Sequence, residues 1–232
     1  MCGRFVGYRK VEELVDNFPI DSVCAEIEAN YNVVPTQEVL SIVKREGKNV
    51  LVKFHWGLVP FWAKDISIGN RLINARSETA ATKPRFKHAL KKRRCLIIAD
   101  GFYEWQGAKG RKQPLYLSLP NDKPFAFAGL WETWINKAQA DSAYNSCTIL
   151  TTSASPSVRP IHHRMPVILK PEKYDQWLDP AFQNLEGLND IITNWIETDL
   201  TNRPVSKRVN AASYNHPSNI EPLTQIEIDF SK

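Results

Sequence analysis

The 232-residue sequence contains no apolar run long enough to cross a bilayer as a helix. No basic stretch followed by an apolar one opens the chain, so a secretory signal is not expected and Cys2 does not read as a lipoprotein cysteine. Cysteine is scarce. The four, Cys2, Cys24, Cys95 and Cys147, lie far apart with no CxxC pair, and His162-His163 lacks the spacing of a zinc-binding pair. These absences argue against a metal site and for a reduced, cytosolic setting. There is no internal repeat and no low-complexity tract. One local absence is also informative: Lys83–Arg94 carries seven Lys or Arg and no acid.

What is present describes an ordinary globular chain, 43% hydrophobic and 24% charged, long enough for a substantial core. The net charge of +5 permits an acidic partner such as nucleic acid without requiring one. Val11, Leu14 and Val15 share a face of a helix expected over Lys10–Asn17, which Pro19 ends. Glu38–Val43 and Asn49–His55 read as a β-hairpin around Glu46-Gly47-Lys48. Further strands are expected at Cys95–Ala99, Pro114–Leu119, Phe125–Trp131 and Ser146–Thr152. Ser77 is placed to cap a short helix through Ala81. Glu172–Leu178 and Leu188–Ile196 read as helices, with Trp177 and Trp195 as core. Trp131 and Trp134 also read as core. Many short strands with few helices predict one α+β domain over residues 1–232, built on a curved, barrel-like mixed sheet with flanking helices.

The chemistry centres on Met1-Cys2-Gly3-Arg4-Phe5. Once the initiator methionine is removed, Cys2 carries an α-amine and a thiol on adjacent carbons. Their reference pKa values, about 7.7–8.0 and about 8.5, leave both partly deprotonated near neutrality. The amine can condense with an aldehyde, and the thiol can close onto the imine carbon as a five-membered thiazolidine, favoured because it is intramolecular. Taken alone, Cys2 reads first as an ordinary second residue.

Other candidates each carry two readings. Glu104, in Gly101-Phe102-Tyr103-Glu104-Trp105, is a desolvated general acid–base or a solvated hairpin glutamate. His162, in Ile161-His162-His163-Arg164-Met165-Pro166, is a proton shuttle or a loop histidine satisfied by backbone. Asn74 and Arg76, two apart on an extended segment, are an orienting amide with a phosphate-binding guanidinium, or a surface pair. Lys83–Arg94 tracks a phosphate backbone or forms a solvated helix face over Phe86, Ala89 and Leu90. Trp62 and Trp105, read as loop residues, are placed to stack on bases.

Taken together and in order, several segments resemble the SOS-response-associated peptidase (SRAP) family. They are Met1–Phe5, Tyr31-Asn32-Val33-Val34-Pro35-Thr36, Trp56-Gly57-Leu58-Val59-Pro60, Ile73–Thr79, Arg94–Trp105, Leu150-Thr151-Thr152 and Ile161–Leu169. They span nearly the whole chain. The resemblance implies a protein that binds single-stranded DNA and crosslinks to abasic sites through its N-terminal cysteine after Met1 is removed. Removal by the protein itself accounts for the word peptidase. It makes Cys2 the nucleophile, with Asn74, Glu104 and His162 around it. It makes Arg4, Arg76, Trp105 and Thr151 DNA contacts, together with Pro35 and Trp62. It implies no cofactor, no metal, no membrane and a cytoplasmic monomer that joins the nucleoid on damaged DNA. The lack of a basic or motif-bearing C-terminal tail points to a bacterial form. Two positions depart from the pattern: His163 stands where the family often has Asp or Asn, and Asn30 where a basic residue often precedes Tyr31-Asn32. Two rival functions remain, an N-terminal-nucleophile amidohydrolase and a non-covalent single-strand binding module.

Overall fold

The computed structural model describes residues 2–108, 110–136, 143–193 and 200–223. Its centre is a closed barrel of five strands: β4 (Glu38–Arg45), β5 (Lys48–Trp56), β7 (Arg94–Ala99), β10 (Phe125–Ile135) and β11 (Ala143–Ser153). Five is odd, so a ring of alternating strands cannot close with antiparallel pairs alone. The parallel pair is β5–β11, with Ser146 opposite His55 and Cys147 opposite Trp56. The expected hairpin is present, and β4 and β5 stay paired from Glu38↔His55 to Arg45↔Lys48. Glu46 and Gly47 both have positive φ, 50° and 81°, as a two-residue turn matched to strand twist demands.

Period-two alternation divides the strand side chains between two apolar layers. Val50, Val52, Phe54, Trp56, Cys95, Ile97, Phe125, Phe127, Cys147 and Ile149 fill the barrel together with Cys2, Phe5 and Phe102. Leu51, Leu96, Ile98, Ala126, Ala128, Leu130 and Leu150 face outward. They are covered by Leu14 of α1 (Val11–Asn17), Ala89 and Leu90 of α3 (Lys87–Lys92), Trp177 of α4 (Tyr174–Leu178) and Leu188, Ile191 and Ile192 of α5 (Leu185–Thr193). Gly129 is a packing requirement: a Cβ there would lie 2.6 Å from Cys95 Sγ and 2.8 Å from Ile97 Cδ1.

A second sheet orders β13 (Thr201–Pro204), β9 (Gln113–Ser118), β8 (Gly101–Gln106), β1 (Phe5–Gly7) and β3 (Asn30–Val33). Short strands complete the first sheet: β2 (Ser22–Val23) beside β5, with β6 (Asn74–Arg76) and β12 (Arg164–Pro166) beside β11. The architecture is the α+β, barrel-like one that the sequence predicts.

Several local expectations change. Only Leu14 of α1 is buried, and Val15 is 48% exposed, because the barrel surface meets a narrower stripe than the sequence offers. Ser77 is the first residue of α2 (Ser77–Ala80) rather than its cap, and Arg76 holds that position without a side-chain bond. Trp105 lies in β8, not in a loop. Trp177 is fully buried, but Trp134 is only partly covered and donates from Nε1 to the Ala63 carbonyl at 2.8 Å. Trp195 and the end of the helix expected through Ile196 lie outside the described residues. Among the described residues no helix is long and apolar enough to cross a membrane, and no cluster of three or more His, Cys, Asp or Glu could hold a metal ion.

Candidate active site and nucleic-acid interface

The chain enters β1 through residues 2–4, which brings Cys2 into the apolar cluster filling the barrel. Cys2 is fully buried. The Asn74 side-chain amide donates to the Cys2 carbonyl at 2.7 Å. Asn74 can reach it because β6 runs parallel to β11, with Asn74 opposite Ile149 and Arg76 opposite Thr151. The structure thus brings the N-terminus and Asn74 together although 72 positions separate them in sequence.

Glu104 comes to the same place along β8, whose Phe102 pairs with Phe5. Glu104 is 5% exposed, so the solvated-hairpin reading does not hold. Burial pushes the Cys2 thiol well above the ordinary thiol range, and the nearby Glu104 charge raises it further. The backbone amide of Arg4 acts in the opposite direction. The thiol is therefore held neutral.

His162 lies between Pro160 and β12. Its neighbour Ile161 packs against the cluster containing Cys2, and Gln106 at the end of β8 donates to the Pro160 carbonyl at 3.3 Å. His162 Nδ1 faces the Arg164 main chain, 3.0 Å from both its N–H and its carbonyl oxygen. His163 stacks on it, with centroids 4.5 Å apart, and is exposed. The adjacent His162 charge, followed by desolvation, lowers the His163 pKa below its usual value.

The residues expected to contact DNA fall into four places. Arg4 and Trp105 form one group. The Arg4 guanidinium sits 5.7 Å over the indole and donates to Asn32 Oδ1 at 2.8 Å and to the Val209 carbonyl. Trp105 Nε1 donates to Asn210 Oδ1 at 2.8 Å. Arg76 and Thr151 form the second. Arg76 is exposed, whereas Thr151 is fully buried, and Arg164 donates to its carbonyl at 2.6 Å and its hydroxyl at 3.2 Å. Arg164 also forms a two-pronged pair with Glu78 at 2.6 and 3.0 Å.

Pro35 and Trp62 occupy separate loops. Pro35 opens a tight turn closed by Gln37 N–H to the Val34 carbonyl, and Thr36 within it has φ 75°. The Thr36 N–H donates to the Trp56 carbonyl at 2.9 Å, tying the turn to the end of β5. Trp62 is 50% exposed beside the equally open Phe61.

Of the Lys83–Arg94 run, Arg94 turns inward. It is 3% exposed and donates to the carbonyls of Leu90, Lys91, Trp177, Asp179 and Phe182. Arg93 pairs with buried Glu132 at 2.8 Å. Both are structural cations, while Lys83, Arg85, Lys87, Lys91 and Lys92 remain exposed.

Asn32 and Arg164 carry contacts that residue-type reasoning did not single out. Buried Asn32 accepts from Arg4 and donates to the carbonyls of Val209, Ala211 and Tyr214. No local pattern reveals such a partner, because the carbonyls are nearly 180 residues away.

Residues 1–212 match the profile of the SOS response associated peptidase (SRAP) family. The chain is 40% identical over 224 residues to the abasic site processing protein YoqW of Bacillus subtilis, spanning 95% of this chain and 99% of the relative. It is 32% identical over 199 residues to the abasic site processing protein HMCES of Gallus gallus, spanning 76% of this chain and 58% of that one. Among solved structures, a Bacteroides thetaiotaomicron protein shares the fold with a TM-score of 0.83 at 23% identity, covering 96% of this chain and all (100%) of the other. With a family match over more than half its length and relatives that align from end to end, the chain belongs to the SOS response associated peptidase (SRAP) family.

Proposed function

We propose that this protein captures abasic sites in single-stranded DNA by a covalent thiazolidine link to Cys2, after Met1 has been removed. The observation that carries the proposal is the meeting of Cys2, Asn74 and Glu104 in one place: an amide on the Cys2 carbonyl and a buried carboxylate whose charge raises the thiol pKa. The relatives named above are abasic site processing proteins, which supports the same substrate.

An abasic deoxyribose is mostly a closed hemiacetal in equilibrium with a little open aldehyde. Glu104, with His162 assisting, moves the protons that open the ring and expel water. The Cys2 amine adds to the aldehyde carbon, water leaves, and an imine remains. The thiol sulfur then bonds to the imine carbon while its proton passes to the nitrogen, closing the ring. A neutral thiol suits this order, because the amine attacks first and the sulfur follows within the same molecule. Arg4, Arg76 and Trp105, with Pro35 and Trp62 at the margins, hold the strand, while fully buried Thr151 acts only through the Arg164 it anchors. The protein works as a monomer, and hydrolysis of the Met1–Cys2 bond by this same site prepares the amine.

Intact-mass measurement of Met1-free protein mixed with abasic single-stranded DNA tests the proposal. A denaturant-stable adduct, its mass equal to protein plus DNA minus one water, is expected. Loss of that adduct in Cys2→Ala is required, and an alanine variant that crosslinks as stably as the parent overturns the mechanism.

A further inference from the structure

The geometry points to a second stretch of DNA-binding surface next to Trp105, formed by Arg111, Lys112, Lys207 and Arg208, that holds the phosphates of single-stranded DNA leaving the Cys2 site. This rests on the DNA-binding function proposed above and extends it to residues that function does not use.

Trp105 in β8 is opposite Pro114 in β9, and the Val205 N–H donates to the Pro114 carbonyl at 3.1 Å, so the three residues lie on neighbouring chains. Gln113 Nε2 donates to the Val205 carbonyl at 2.8 Å, continuing that pairing toward the β8–β9 turn. Arg111 and Lys112 lie in that turn. Lys207 and Arg208 follow Val205 by two and three residues. At about 3.3 Å per extended residue, all four cations are within about 10 Å, measured along their own chains, of the row containing Trp105. The chain then folds back, and Asn210 accepts the Trp105 indole N–H at 2.8 Å. The Val209 carbonyl accepts from Arg4. Buried Asn32 fixes the return by donating to the carbonyls of Val209, Ala211 and Tyr214.

All four cations are exposed, and none forms an ion pair among the described residues. The carboxylate closest in sequence to Trp105, Glu104, is buried. The arrangement is therefore a partly open indole bordered by positive charge without ion-pair partners among the described residues, Arg208 lying 6.0 Å over the Tyr214 ring and Arg4 over the indole as the link to Cys2. An indole beside a positive track is what an unpaired strand needs: bases stack on the ring while phosphates displace counterions. Duplex DNA keeps its bases stacked internally and gains only the charge contribution.

The test is a salt titration of binding to a single-stranded oligonucleotide of about 20 nucleotides carrying a central stable abasic analogue. Each phosphate neutralised on a single strand contributes about −0.7 to the slope of log K against log salt. The Arg111→Ala/Lys112→Ala and Lys207→Ala/Arg208→Ala doubles are each expected to make the slope shallower by about 1.4. Arg45→Ala/Lys48→Ala, on the β4–β5 hairpin about 26 Å of strand from Trp56, is the charge-matched control and keeps the parental slope. Parental slopes in both test doubles overturn the surface, as does an equal change in all three doubles. If the parent itself fails to bind single-stranded DNA, the proposed function fails and the surface falls with it. If the parent binds and only the slopes refuse to move, the surface alone is wrong.

Discussion

Asn74 Nδ2 donates to the backbone carbonyl of Cys2 at 2.7 Å, so the residue expected to react is oriented through its main chain rather than its thiol. In the proposed mechanism this contact orients the Cys2 α-amine once Met1 is removed. A neutral hydrogen bond contributes about 0.5–1.5 kcal/mol net. Asn74→Ala is expected to slow crosslinking about two- to tenfold, with Asn74→Asp at least as slow because it replaces the donor by an acceptor. Single-turnover time courses at saturating abasic DNA measure this. A parental rate in both variants would show that the contact orients nothing.

Glu104→Gln separates chemistry from binding. General acid–base catalysis is typically worth about 10²–10⁴ in rate. The variant is expected to crosslink slower by that order while its affinity for unmodified single-stranded DNA is equal or higher, since a negative charge is removed. The Glu104 charge also raises the Cys2 thiol pKa, so the substitution is expected to move thiol alkylation to lower pH. His162→Gln should give a milder, pH-dependent loss, and His163→Gln little change. A rate loss explained entirely by weaker binding would make Glu104 structural.

The Glu78–Arg164 pair predicts a small acid-limb effect. The hydrogen bonds from Arg164 hold the Glu78 carboxyl below its usual range, so the pair contributes stability above about pH 4 and loses it as pH falls further. The Glu78 side chain is 47% exposed, so solvent screening keeps the contribution under about 1 kcal/mol. The melting-temperature difference between parent and Glu78→Gln should be positive at pH 7 and shrink as the pH falls below about 4. A difference that grows toward acid contradicts the pairing.

Thr36 sits at φ 75° in the turn that follows Pro35, a region a β-branched residue enters at a cost of about 1–3 kcal/mol. Thr36→Asn is expected to raise stability by about 0.5–1 kcal/mol, because Asn tolerates left-handed φ without the backbone freedom of glycine. Urea denaturation decides it, and destabilisation would mean that the Thr36 side chain makes contacts outweighing the strain.

Gly129→Ala drives a methyl against Cys95 Sγ and the Ile97 side chain inside the barrel. Overpacking of this kind costs about 1–3 kcal/mol. A variant as stable as the parent would show that the barrel interior adapts.

The sequence by itself determined what depends on local pattern and on the intrinsic chemistry of a residue. Alternation and the Glu46-Gly47 turn specify the β4–β5 hairpin, because a strand buries every second residue and a two-residue turn needs positive φ. The aminothiol potential of Cys2 belongs to its covalent structure and needs no fold. Tertiary structure alone decided the rest. The closing parallel pair β5–β11 joins segments about 90 residues apart, and no local propensity encodes it. The burial of Glu104, the inward turn of Arg94 and the docking of Arg4 and Trp105 on Val209 and Asn210 arise in the same way. A carboxylate or guanidinium looks alike in sequence whether water or a distant carbonyl satisfies it, and only closure of the barrel and its neighbouring sheet chooses between them.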